Sequence, residues 1–250
     1  MTQSPMTRRT LFALGAPAAL VTIAACSKSP SGTSNSTTSK SVSTPDRVVS
    51  FNWPEITETK LRDDTGYHLN KLVDGAPTVT LYTDYEVFEC IRAELAYEKA
   101  AKDLEGTMNV TVRHYPSPNS GYARDSALAV LAAEVQGKHQ AMARKLCETH
   151  EERYRRGSAV GNLRVKLKGY AKEIGLDVDK FDKTMDDKSI ADLLHTDQKH
   201  AFLDLRMVRT PEFTVNDKIL ENIDYNKVLE NVESSTPLNI WSKNSRKPQG

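Results

Sequence analysis

The sequence predicts a mixed α/β domain in which a β-α-β unit is separated from a closing β-β-α unit by a long helical insertion. Three observations predict it. An apolar run at Thr78 to Tyr82 leads through Thr83-Asp84-Tyr85-Glu86 into an amphipathic stretch, and a second strand signal follows at Met108 to His114. The next eighty or so residues, about 119–205, are rich in alanine and leucine and carry no strand signal. Strand signals then return between Glu212 and Leu220.

Taken in order, Thr57 to Leu61 and Tyr67 to Leu72 flank Asp63-Asp64-Thr65-Gly66 and predict a short hairpin. Asp74-Gly75-Ala76-Pro77 is a turn before the strand Thr78 to Tyr82. Ile91, Leu95 and Leu104 place a helix at about Phe88 to Leu104, which Gly106 closes, and Val110 and Val112 share one face of the strand that follows. Short connections and right-handed crossovers make these two strands parallel neighbours. Helices are predicted over Ala123 to Val135, Gln140 to Tyr154, Leu163 to Ile174, Val178 to Met185 and Ile190 to Leu205, with Gly137 and Gly175 as punctuation. Glu212 to Val215 and Ile219 to Leu220 are joined by Asn216-Asp217, a pair suited to a two-residue hairpin turn. Asp224 can cap a final helix from Tyr225 to Val232, and residues 241–250, beginning at Trp241, read as a tail to a domain spanning 46–240.

The first 25 residues read as an address. Arg8 and Arg9 precede an apolar run from Leu11 to Ala25, which is shorter than the roughly 17 to 25 residues a membrane-spanning helix needs. Ile23-Ala24-Ala25-Cys26 resembles a lipobox, which implies that Cys26 is lipidated, and Thr7-Arg8-Arg9-Thr10-Leu11-Phe12 resembles a twin-arginine signal. Ser27 to Pro45 holds eight serines and four threonines with almost nothing apolar, so residues 26–45 are expected to be a flexible tether. The expected location is the extracytoplasmic face of a membrane, held there by the lipid anchor.

The chain carries a formal +1, and residues 1–25 contribute two arginines and no acid. Near-neutrality argues against nucleic acid as a partner, for which a basic stripe is expected. From Asp46 onward the chain is long enough for one domain with a substantial core. Beyond Cys26 two cysteines remain, Cys90 and Cys147, too few for a disulfide scaffold.

Several matches fall in one order. Asp74-Gly75-Ala76-Pro77 precedes the first parallel strand and Asp84-Tyr85-Glu86 follows it; Arg113-His114-Tyr115-Pro116 ends the second, and Val208-Arg209-Thr210-Pro211 precedes the last hairpin, while Gln136-Gly137-Lys138 lies in the insertion. Together they resemble the DsbA-like thioredoxin-fold family, whose strand runs into D-[FY]-E-C-x-x-C at the start of a helix. The resemblance implies a thioredoxin fold with an inserted helical domain. It also implies that Thr210-Pro211 is a cis-proline corner facing the active-site helix, where an extended peptide pairs with the backbone.

Aligned without a gap, Val87 stands at the position of the attacking cysteine, Phe88-Glu89 lie between, and Cys90 takes the resolving position. The alternative makes Cys90 the nucleophile and Ala93 its lost partner, and requires three extra residues in the loop. Disulfide exchange begins with a thiolate, which valine cannot supply. On the ungapped register Cys90 is a small buried apolar residue, and Glu86, an acid beside the redox pair in relatives, has no thiolate to tune. Pairing of Cys90 with Cys147 would need Cα atoms within roughly 7 Å, and both are expected buried and unpaired.

Of the six histidines only His195 and His200 lie near ligand spacing, and five residues on a helix is a poor match for one face, so no metal or other cofactor is expected. Glu151-Glu152-Arg153 and Arg155-Arg156 read as a solvated helix end. Two functions are compatible with this sequence. One is a redox-inactive module that holds an extracytoplasmic protein or peptide beside Val87, Phe88, Thr210 and Pro211. The other is a thiol-disulfide oxidoreductase working through Cys90, alone or with Cys147.

Overall fold

A computed structural model of the chain describes residues 51–155 and 162–220. The leader, Cys26, the tether, the final helix at 225–232 and Trp241 lie outside the described residues. The elements run β1 (Arg62–Asp63), β2 (Gly66–His68), β3 (Thr78–Thr83), α1 (Phe88–Asp103) and β4 (Asn109–His114). Among the described residues six helices follow, α2 (Gly121–Glu134), α3 (His139–Glu148), α4 (His150–Arg155), α5 (Leu163–Glu173), α6 (Val178–Met185) and α7 (Lys188–Lys199). A π-helical turn, His200–Asp204, precedes β5 (Glu212–Val215) and β6 (Lys218–Ile219).

The strands form one sheet in the order β1-β2-β4-β3-β5-β6. β3 and β4 are parallel from Thr78 opposite Asn109 to Thr83 opposite His114, while β5 runs antiparallel to β3 with Glu212 opposite Tyr82. β-α-β, a helical insertion and a returning hairpin are thus the observed architecture. Asn216 and Asp217 both adopt positive φ, 47° and 60°, as a two-residue turn between β5 and β6 requires.

One sheet face packs on α1. Val79, Leu81, Val110, Val112 and Phe213 meet Ala93, Ala96, Tyr97 and Ala100, all buried, and the small alanines let the helix lie close to the strands. The Tyr97 hydroxyl reaches the carbonyls of Val79 (2.7 Å) and Thr111 (2.9 Å), tying α1 to both parallel strands. The insertion has its own apolar centre, in which the alanine and leucine face of α2 meets Met142, Leu146, Leu167, Phe181 and Leu194. A third, smaller cluster joins Tyr82 to Ala201 and Met207 beside the π-helical turn.

Four boundaries differ from the sequence expectation by more than two residues. The first hairpin is shorter: the ladder stops at His68 because the Asn70 side chain takes over, accepting from Val110 N at 3.0 Å and donating to the carbonyls of Ala101 and Met108. Thr57 to Leu61 is not a strand, although Leu61 O accepts from His68 N at 2.9 Å. The helix expected over Gln140 to Tyr154 breaks at Thr149. The last insertion helix is α-helical only as far as Lys199, beyond which His200–Asp204 widens into the π-helical turn.

Candidate functional site

The candidate site is the corner where β3 turns into α1. Asp84 builds the turn. Its Oδ1 accepts from Glu86 N at 2.9 Å, its Oδ2 accepts from Ser117 N at 2.8 Å, and its carbonyl accepts from Val87 N at 3.1 Å. Asp84 is buried, and burial raises its pKa against those two backbone hydrogen bonds.

Val87 is the N-cap of α1, with φ −99° and ψ 122°, and its side chain can accept nothing from the first turn. Ser120, Asn162, Asp177 and Asp187 each cap their helices with a side-chain oxygen. α1 therefore begins on a residue that is poor as a cap and half-buried at the surface, followed by the half-buried Phe88. The Phe88 ring faces His150 of α4 with centroids 6.2 Å apart, so this side chain looks toward the insertion.

Cys90 follows one turn in. Its backbone N donates to Val87 O at 3.0 Å, and the residue is fully buried. Burial pushes the thiol far toward its protonated form; hydrogen bonds from the Thr210 side chain and the Asp84 backbone act against this, and the charges of Asp84 and Glu94 add to it. The same contact places Thr210, and with it the cis Thr210–Pro211 bond, against Cys90. Thr210 is half-buried, Pro211 is buried, and the β3–β5 ladder starts beyond them at Glu212. Val87, Cys90, Thr210 and Pro211 thus share one corner.

Cys147, on α3, is also buried and free. Burial raises its pKa well above the ordinary value, and the charges of Glu94 and Glu98 raise it further. Glu94 and Glu98 lie four and eight residues beyond Cys90, on the same stripe of α1, and both are buried. Burial and then the Glu98 charge push Glu94 up to about 8, and its Oε1 has no hydrogen-bond partner. Burial pushes Glu98 up to about 7 although Arg144 Nε donates to its Oε2 at 2.8 Å. Two carboxyls that resist ionisation stand behind two thiols that resist it more, and a thiol held protonated is a poor nucleophile at neutral pH.

The charged run at 151–156 was expected to be solvated, yet Arg153 is buried and organises the corner. Its Nη2 donates to Tyr85 O at 3.0 Å and to Glu86 Oε1 at 3.1 Å, and its Nη1 donates to Leu146 O at 2.7 Å and Thr149 Oγ1 at 2.8 Å. Glu86 is likewise no free loop carboxylate. It also accepts from Ser126 Oγ at 2.8 Å, and its carbonyl accepts from His150 Nε2 at 3.1 Å. The break at Thr149 directs Arg153 and His150 back onto the β3–α1 loop. Replacing Arg153 by methionine leaves the Glu86 charge and two carbonyls without their donor, and is expected to cost about 3 kcal/mol in denaturant unfolding. A loss below about 1 kcal/mol would mean that solvent replaces the pairing.

His114, expected only as part of a family match, is fully buried in a ring column. It stands edge-on to Tyr85 at 5.7 Å and stacks on His139 at 5.5 Å, and His139 stacks on Tyr67 at 3.8 Å. Burial, with the nearby His139 and Arg62 charges, holds the His114 pKa well below the ordinary histidine value. Among the described residues no group of three His, Cys, Asp or Glu side chains could hold a metal ion.

Fold and corner together define a DsbA-like thioredoxin-fold protein, with Val87 and Cys90 one helical turn apart at the strand–helix junction. A family model described as thioredoxin matches residues 74–234, and the chain belongs to that family. No curated protein sequence matches it. Among solved structures it is similar to the oxidoreductase DsbA from Xylella fastidiosa, at 17% identity over 70% of this chain and 90% of that one, with a TM-score of 0.55. It is similar to MdbA, a thiol-disulfide oxidoreductase from Corynebacterium diphtheriae, at 16% identity over 74% and 97% of the two chains (TM-score 0.54). A thioredoxin-like oxidoreductase from Silicibacter pomeroyi DSS-3 shares 22% identity over 65% and 87% (TM-score 0.50). At these identities the likeness concerns the fold.

Proposed function

We propose that this chain is an extracytoplasmic, lipid-anchored binding module of the thioredoxin family, which holds an extended protein segment at the Val87 corner without a two-cysteine exchange cycle. One observation carries the reading: Cys90, the single cysteine of the corner, is fully buried behind Val87 with its thiol held protonated. Thr210 precedes the β3–β5 ladder, which supports pairing of its backbone with an extended segment, and Val87 offers an apolar contact, while Phe88 is turned toward the insertion. The leader and the Ser/Thr-rich stretch after Cys26 support the location, and among the described residues no helix is long and apolar enough to cross a membrane.

A second reading, a thiol-disulfide oxidoreductase acting through Cys90, alone or with Cys147, draws support from the names borne by the solved structures of similar fold. The two separate in one assay. With insulin as disulfide substrate and dithiothreitol as reductant, the full chain is expected to leave the uncatalysed rate unchanged. It is expected to bind a reduced, carboxymethylated protein that offers no thiol, and Thr210→Arg is expected to weaken that binding. Catalysis abolished by Cys90→Ser would establish the oxidoreductase instead.

A further inference from the structure

A second concavity opens at the C-terminal half of α1, with a volume of about 700 Å³, within the range of small-molecule sites. Leu61, Leu69 and Ala101 supply apolar wall, and Glu98 and Gln140 close the inner end. Gln140 is 4% exposed and its Oε1 has no hydrogen-bond partner. A buried acceptor without a donor is unfavourable, and a ligand donor would relieve that cost.

The charge at the two ends differs. At the rim, Lys71 and Lys102 offset Glu55 and Glu105. At the inner end Glu98 is the lining carboxyl. Arg144, which donates to Glu98 and lies over the Trp53 ring at 5.1 Å, and Glu58, which accepts from the backbone N of Gln140 (3.1 Å) and Ala141 (3.0 Å), are not part of the lining. The Glu98 carboxyl, whose ionised form an approaching cation favours, and one orphan acceptor therefore meet where the apolar wall ends. We propose that this cleft binds a small amphiphile whose cationic amine head donates to Gln140 and Glu98 and whose apolar body lies along Leu61, Leu69 and Ala101.

Isothermal titration of the full chain with hexylamine, hexan-1-ol and hexanoate tests this. Hexylamine is expected to bind about tenfold or more tightly than hexan-1-ol, with hexanoate weakest. Gln140→Leu is expected to weaken hexylamine about tenfold, as loss of one charged hydrogen bond does. Should that variant fail to fold, Glu98→Gln carries the same decision. The proposal is overturned if the three probes bind alike, if none binds, or if hexylamine binds the variant as it binds the native chain.

Discussion

Val87→Cys is expected to convert the corner into a redox-active pair. The position is the N-cap of α1, half-buried, and its carbonyl accepts from Cys90 N one turn on at 3.0 Å. A thiol placed there meets the positive end of the helix, and its thiolate gains what the buried Cys90 cannot. A free cysteine, with a pKa of about 8.5, is about 3% thiolate at pH 7; lowering it to about 7 brings the thiolate to half. Glu86 opposes the thiolate only weakly, since Arg153 already pairs with its carboxylate. Oxidation is then expected to consume two thiols as a disulfide between the introduced cysteine and Cys90, and insulin reduction is expected to rise by an order of magnitude or more. A folded variant that forms no disulfide on oxidation would show that the register placing Val87 at the attacking position is wrong.

Glu94→Gln is expected to stabilise the protein, and to do so only as the pH rises. The native carboxyl is pushed up to about 8 by burial and the Glu98 charge, against an ordinary 4.5. Between those values the unfolded chain has lost the proton and the folded chain keeps it. The cost of burying Glu94 is therefore absent below about pH 4.5, grows as the pH rises and levels off above 8. At about 1.36 kcal/mol per unit, the variant is expected to gain about 3 to 5 kcal/mol at about pH 8.5 and almost nothing at about pH 4.5. Glu134 behaves oppositely. His139 and Arg62 pull it down to about 2 against its desolvation, so its contribution is present above 4.5 and lost as the pH falls toward 2. Urea midpoints of native chain and variant at about pH 4.5, 6.5 and 8.5 provide the check. A constant gap across the three would mean that Glu94 ionises at its ordinary value.

What could be read from sequence follows the length scale of the interaction. The β-α-β order was legible because Thr78 to Tyr82 and Met108 to His114 are apolar runs bounded by turns, and the corner proposed as the site was legible as the strand–helix junction that holds Val87 to Cys90. The burial of Cys90 could be foreseen from its place one turn into the helix, and its neighbours Glu94 and Glu98 lie on the same stripe, a signal that helix spacing offers. Arg153 gave no such signal. It sits in a run of charged residues, and its partners Tyr85 and Glu86 lie 68 and 67 residues away in sequence. The Arg144–Glu98 pair spans 46 residues and the His114–His139 stack joins sheet to insertion, so each exists only once the insertion has closed on α1. The break at Thr149 was likewise hidden, because both flanks read as helix and the reason for the bend is a contact with a distant loop.

Whether Cys90 is a nucleophile is measured most directly by its reactivity in the native chain. The rate is taken as the difference between the full chain and Cys90→Ser on treatment with an aromatic disulfide reagent at neutral pH. With the thiol fully buried and held protonated, no difference is expected until denaturant opens the corner, after which one additional thiol reacts. A fast reaction in the native chain that disappears in Cys90→Ser would contradict the account and place a working thiolate at this corner.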